Sequence, residues 1–149
     1  MEQKRILVVD DDLNVLKSLR VVLQLEGYHV DSAETAAEAL EKYETNFYNL
    51  ALLDIRLPDM EGTELLTRMH RDKPQMMKIM ITGYPSQENA VKALNRGADA
   101  YILKPVEAED LAKVAKEKLR EQEEAEKMSQ EKVTEWIKTR IKKLEKKSI

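Results

Sequence analysis

The sequence predicts a doubly wound α/β fold on a five-stranded parallel sheet. Three observations carry that prediction. Short apolar runs alternate strictly with amphipathic helical stretches between residues 4 and 120. Four of the five runs are nearly continuous in apolar residues, as expected for parallel strands covered on both faces. Chemically useful polar residues stand at the ends of the runs, where folds of this kind gather their functional groups.

The runs are Arg5-Ile-Leu-Val-Val9, Tyr28-His-Val-Asp-Ser32, Leu50-Ala-Leu-Leu53, Lys78-Ile-Met-Ile81 and Ala100-Tyr-Ile-Leu103. The mixed Tyr28 run reads as an edge strand. Leu13, Val15, Leu16, Leu19, Val22 and Leu23 have helical spacing, with Gly27 a suitable C-terminal stop. Thr35 can cap a second helix through Ala36, Ala39, Leu40 and Tyr43. Leu65, Leu66 and Met69 mark a third, which must end before Pro74. Ser86 can cap a fourth, stopped by Gly97, and a fifth begins at Glu107. Strict β-α alternation implies right-handed crossovers and a sheet covered on both sides.

Composition bounds the function. The 149 residues carry a net charge of -3, with 36% charged and 42% hydrophobic residues, so one core fits and the whole chain shows no strong bias toward nucleic acid. With no cysteine, a disulfide framework, a thiolate metal site and a cysteine nucleophile are excluded. The opening Met1-Glu-Gln-Lys-Arg5 leads into an apolar run too short for a signal peptide or a membrane span, so a cytoplasmic location is expected.

Asp10 and Asp11 follow the first strand, Asp54 ends the third, Thr82 the fourth and Lys104 the fifth. Singly, each has an ordinary reading as a helix cap or a surface group. Together they bring three carboxylates, a hydroxyl and an ammonium to one end of a sheet. Three carboxylates in one crevice repel one another, and a hard divalent cation with one ammonium would balance them.

In order and spacing, Ile6-Leu-Val-Val-Asp-Asp11, Leu53-Asp-Ile-Arg-Leu-Pro58 with Asp59-Met-Glu-Gly62, Ile81-Thr82-Gly83 and Tyr101-Ile-Leu-Lys-Pro105 resemble the receiver domains of two-component response regulators. The resemblance implies a flavodoxin-like sheet of order 2-1-3-4-5 and a chemotaxis-regulator-like switch. It casts Asp54 as the acceptor of a phosphoryl group from a sensor histidine kinase. Asp11 and Asp54 would bind Mg2+ directly, Asp10 through water, and Arg56 through its backbone carbonyl. Lys104 would pair with the phosphoryl group, Thr82 would hydrogen-bond it, and Tyr101 would move with Thr82 as the switch aromatic. Lys104-Pro105 matches the family's cis peptide. Gly83 would leave room beside the site, Tyr84 to Gln87 would form a mobile loop, and Ile55 and Tyr84 would govern water access. The protein would not be an enzyme beyond self-catalysed phosphorylation and dephosphorylation. A haloacid-dehalogenase-like phosphatase fits poorly, since it needs Asp-x-Asp after the first strand.

The receiver is expected over 1-120 and a helical extension over 121-149. No Gly or Pro occurs from 106 to 149. A continuous helix over that stretch would run on the order of 60 Å at ~1.5 Å per residue. Alternatively, Ser129 could cap a separate helix. Val133, Trp136, Ile137, Ile141 and Leu144 form an apolar stripe that calls for a partner, a second copy or the receiver body. A homodimer and an unidentified protein target are expected, with transcription one indirect output. Direct DNA binding is not expected, because no reader motif follows the receiver. A fragment of a larger regulator, with its effector beyond residue 149, is the alternative.

Overall fold

The structure, a computed structural model, describes residues 2-83 and 86-147. Tyr84 and Pro85 lie outside the described residues, and with them the proposed loop and the role expected of Tyr84. In chain order the elements are β1 (Arg5–Val9), α1 (Leu13–Leu25), β2 (His29–Ala33), α2 (Ala36–Thr45), β3 (Leu50–Asp54), α3 (Gly62–Asp72), β4 (Met77–Thr82), α4 (Gln87–Asn95), β5 (Ala100–Leu103) and α5 (Ala108–Lys147). The strands pair in parallel in the order β2-β1-β3-β4-β5. Two compact units result, Met1–Leu119 and Arg120–Ile149.

Side chains alternate across a strand, so each central strand feeds two cores. Leu7, Val9, Ala51, Leu53 and Met80 face α2, α3 and α4, meeting Ala39, Tyr43, Leu66, Met69 and Ala93. Ile6, Val8, Leu50, Leu52, Ile79 and Ile81 face α1 and the first turns of α5, meeting Leu16, Leu19, Leu23, Leu111, Ala115 and Leu119. Every residue of β3 is buried, which explains its unbroken apolar sequence.

The caps follow the sequence. Thr35 Oγ1 accepts the Glu38 N–H at 3.1 Å, and Ser86 Oγ accepts the Asn89 N–H at 3.0 Å. Gly27, at φ +94°, ends α1 in the left-handed conformation that glycine tolerates best. β5 is the second edge strand, as the expected order requires, and none of its residues is fully buried. One feature differs from the sequence reading: Ser129 caps no separate helix, because it lies inside the helix Ala108–Lys147.

Candidate functional site

The carboxyl ends of β1, β3, β4 and β5 bring the expected groups together. Asp10 and Asp54 are buried, Asp11 is exposed, and their carboxylates offer oxygens all within 4.8 Å of one another. The β1–α1 turn accounts for this division of labour. Asp12 leaves the cluster to cap α1, accepting the Asn14 N–H at 2.9 Å. Its own N–H donates to Asp10 Oδ1 at 2.9 Å and fixes that carboxylate.

Lys104 reaches in from the end of β5, past a cis bond to Pro105. Its Nζ donates to Asp10 Oδ2 at 2.7 Å and lies 3.5 Å from Asp54 Oδ2. Asp10, not Asp54, is therefore its tighter partner. Burial alone would lower the Lys104 pKa, but the hydrogen bond and charge of Asp10, then those of Asp54, outweigh it and hold the ammonium above its ordinary range. Burial pushes the Asp54 carboxyl up, and repulsion from Asp10 adds to it. The Lys104 charge and the nearby Arg56 backbone N–H oppose that rise. Even so, Asp54 Oδ1 is buried without a hydrogen-bond partner of normal geometry. One ammonium against three carboxylates leaves negative charge uncompensated, and an oxygen donor set of this kind suits a hard divalent cation.

Thr82 is fully buried at the end of β4, one residue beyond Ile81, the β4 partner of Asp54. Its carbonyl accepts the Lys104 N–H at 2.8 Å, tying β4 to the lysine strand. Tyr101 packs against the α2–α3–α4 core. Its hydroxyl is buried without a well-formed hydrogen bond, and burial raises its pKa against a small opposing effect of the Ser86 backbone. Ile55 is buried just beyond the end of β3. A Cβ on Gly83 would make only ordinary contact with Lys104 at 3.8 Å, so the room expected there is not sterically required in this state.

Two site-shaping residues escaped the sequence reading. A Cβ on Gly62 would stand 1.9 Å from the Asp54 carbonyl oxygen, so only glycine lets α3 start against the end of β3. The Gly62 N–H donates to the Ile55 carbonyl at 2.6 Å. Asp59, from the same β3–α3 loop, accepts the Ala36 and Ala37 N–H groups, each at 2.9 Å, and those amides hold its carboxyl below the usual range. Gly62 and Asp59 both lie in the matched motif, yet nothing in their spacing showed what they would touch.

An acidic cluster with an inward ammonium at the carboxyl ends of a 2-1-3-4-5 parallel sheet marks the CheY-like class of fold. The chain belongs to the response regulator receiver domain family, whose profile matches residues 6–116. The crystal structure of a CheY-like response regulator receiver domain protein from Methanospirillum hungatei JF-1 is 58% identical, with a TM-score of 0.82 over 83% of this chain and 99% of that one. The beryllofluoride-activated NtrC4 receiver domain dimer, solved in solution, is 36% identical, with a TM-score of 0.78 over 80% of this chain and 99% of that one. The transcriptional regulatory protein ZraR of Klebsiella oxytoca is 38% identical over 110 residues, 74% of this chain and 25% of that protein. The chain thus spans about a quarter of the length of the first curated relatives it matches.

Proposed function

We propose that this receiver is a phosphorylation-driven switch with Asp54 as the acceptor. One observation carries the reading: Asp54 Oδ1 is buried at a strand end without a hydrogen-bond partner of normal geometry, while Lys104 stands beside the other oxygen. An Asp54 carboxylate oxygen attacks the phosphorus of a phosphohistidine on a sensor kinase. The bond from phosphorus to the imidazole nitrogen breaks, leaving an acyl phosphate on Asp54 and a free histidine on the kinase. Lys104 neutralises the transferred oxygens, and the Thr82 hydroxyl hydrogen-bonds one of them. The protein supplies position and charge and does little covalent work.

Asp11, Asp54 and the Arg56 backbone carbonyl would hold Mg2+ directly. Both Asp10 oxygens already accept hydrogen bonds, which supports contact through water. When bound, the cation supplies charge neutralisation between the carboxylates and the phosphoryl oxygens. Tyr101 and Thr82 form the switch pair, and the unsatisfied Tyr101 hydroxyl supports a side chain with a second position to occupy. Water attack on the acyl phosphate would make the signal self-limiting.

The assignment places the receiver at 1-120 and the extension at 121-149, in a cytoplasmic protein that answers a kinase. Its output is contact with another protein or a second copy; the NtrC4 receiver is described as a dimer when activated. Among the described residues no helix is long and apolar enough to cross a membrane.

The test is intact mass after incubation with acetyl phosphate. The account predicts one added phosphoryl group with Mg2+, none without it, and none in Asp54→Asn. An unchanged wild-type mass, or continued incorporation in Asp54→Asn, would contradict it.

A further inference from the structure

From Arg120 to Lys147 the chain is a helix whose apolar side chains stand in water: Trp136 is 60% exposed and Leu144 67%. Successive helical side chains turn by roughly 100°, which gathers Val133, Trp136, Ile137, Ile141 and Leu144 into an arc of roughly 140°. Arg140 falls inside that arc with its guanidinium 5.0 Å from the Trp136 ring centroid, a cation–π contact that leaves its alkyl stem along the apolar face. Lys132 and Lys143 border the Trp136 edge, so positive charge flanks the stripe; on the opposite face Lys138, Lys142 and Lys146 are balanced by Glu131, Glu135 and Glu145. Residues 127-149 hold eight Lys or Arg and three Glu, a charge of +5 that leaves -8 on the rest of a chain of net charge -3.

Whatever covers this face must take apolar surface and positive charge together. A second copy in parallel register supplies the first and repels through the second, since +5 would meet +5. An antiparallel copy would set the basic stretch against the acidic run of Glu121, Glu123, Glu124 and Glu126, but would then move the two apolar stripes out of register. The stripe is also short, roughly three turns, with Trp and Arg near its centre, whereas coiled coils sustain aliphatic a and d positions over several heptads. Nucleic acid supplies negative charge but leaves Val133, Ile137, Ile141 and Leu144 in water. An anionic lipid surface takes both. Apolar side chains enter the acyl boundary, Trp settles at headgroup depth, and lysines meet the phosphates.

We infer that the helical face of Val133, Trp136, Ile137, Ile141 and Leu144 is an interfacial anchor that lies in the plane of an anionic lipid surface. The attraction belongs to this segment alone, since the rest of the chain carries charge of the same sign as the lipid. The inference is independent of phosphorylation at Asp54.

Trp136 is the chain's one tryptophan and reports directly. The full chain is titrated with vesicles of equal parts phosphatidylglycerol and phosphatidylcholine, and with phosphatidylcholine alone, following Trp136 emission and co-sedimentation. The anionic vesicles should shift the emission to the blue and pellet the protein, while neutral vesicles do neither. Raising salt from about 0.1 M to about 0.5 M should weaken binding by roughly tenfold or more. Ile137→Glu with Ile141→Glu should abolish the shift, and so should Lys132→Glu with Lys143→Glu, the two lysines that border the stripe. All four positions are exposed, so the receiver core is untouched and acetyl-phosphate labelling should persist in both variants. No shift with anionic vesicles would overturn the inference. So would a blue shift that grows with protein concentration without lipid, which points to a second copy. Equal binding to an oligonucleotide, insensitive to Ile137→Glu, would overturn it in favour of nucleic acid.

Discussion

Two lysines sit near opposite ends of the receiver sheet, and their surroundings differ in kind. Lys104, at the carboxyl end, faces two carboxylates and is held above its ordinary pKa against the effect of its own burial. Lys78, near the amino end of β4, is 0% exposed. Its Nζ donates to the Lys73 carbonyl at 2.7 Å and lies 3.4 Å from His70 Nδ1. Burial pulls it down to about 8, with only the charge of Asp99 opposing. The first lysine balances a site that would be unstable without it. The second is a buried cation without a carboxylate hydrogen-bonded to its ammonium, and it weakens the fold at neutral pH. Charge at the carboxyl end is held by opposite charge, and at the other end it is merely tolerated.

The largest effect should come from Gly62→Ala at the carboxyl end. The new Cβ would overlap the Asp54 carbonyl, so α3 must shift, with a loss of about 3 kcal/mol or more in urea unfolding. A loss under about 1 kcal/mol would mean that the loop gives way easily and does not brace Asp54.

Lys104→Met leaves Asp10 and Asp54 facing each other without a cation. Stability without metal should fall by about 1–3 kcal/mol, and Mg2+ should restore part of it. An unchanged urea midpoint would show that solvent already screens the pair.

Lys78→Met should act in the opposite sense, raising stability at pH 7 by about 1–2 kcal/mol, the relieved ammonium being partly offset by the lost hydrogen bond to Lys73. The pH dependence gives the same comparison without mutation. The folded pKa of Lys78 lies below its unfolded value, so the unfolded chain binds more protons between about 8 and 10.5, and wild-type stability should rise as pH climbs through that window. Tyr43 and Tyr48 oppose it at the upper end. Burial, with hydrogen bonds to Asp72 and Asp31, raises their pKa values, so the stability of their protonated forms is lost as pH rises above about 10. The net expectation is a maximum between pH 8 and 10 that flattens in Lys78→Met. A profile identical in the two proteins would remove Lys78 from the account.

The smallest effect belongs to Asp59→Ala, which uncaps Ala36 and Ala37. About 1 kcal/mol is expected, seen as faster amide exchange confined to the first turn of α2.

Local signals account for most of what the sequence revealed. Apolar runs, the caps Thr35 and Ser86, and the stop at Gly27 act within a few residues, so pattern alone located them. The mixed composition of β2 likewise marked an edge. For β5 the composition was silent, since its apolar run resembles those of the central strands, and only the family's strand order placed it at the other edge. The strand-end residues Asp10, Asp54, Thr82 and Lys104 were legible as a set through family resemblance. What each one touches was not. Lys104 and Asp10 are 94 residues apart, and nothing along the chain states that this pair is tighter than Lys104 with Asp54. Lys78 was hidden for the same reason: it reads as the polar start of an apolar run, and only the packing of α3 over β4 buries it.

Borohydride trapping tests the central claim most directly. The protein is phosphorylated with acetyl phosphate and Mg2+, then treated with borohydride, which reduces an aspartyl phosphate to homoserine, and its peptides are sequenced by mass. The account predicts homoserine at position 54 alone. Homoserine at position 10 or 11, or none at all under conditions where the intact mass shows a phosphoryl group, would contradict the assignment of Asp54.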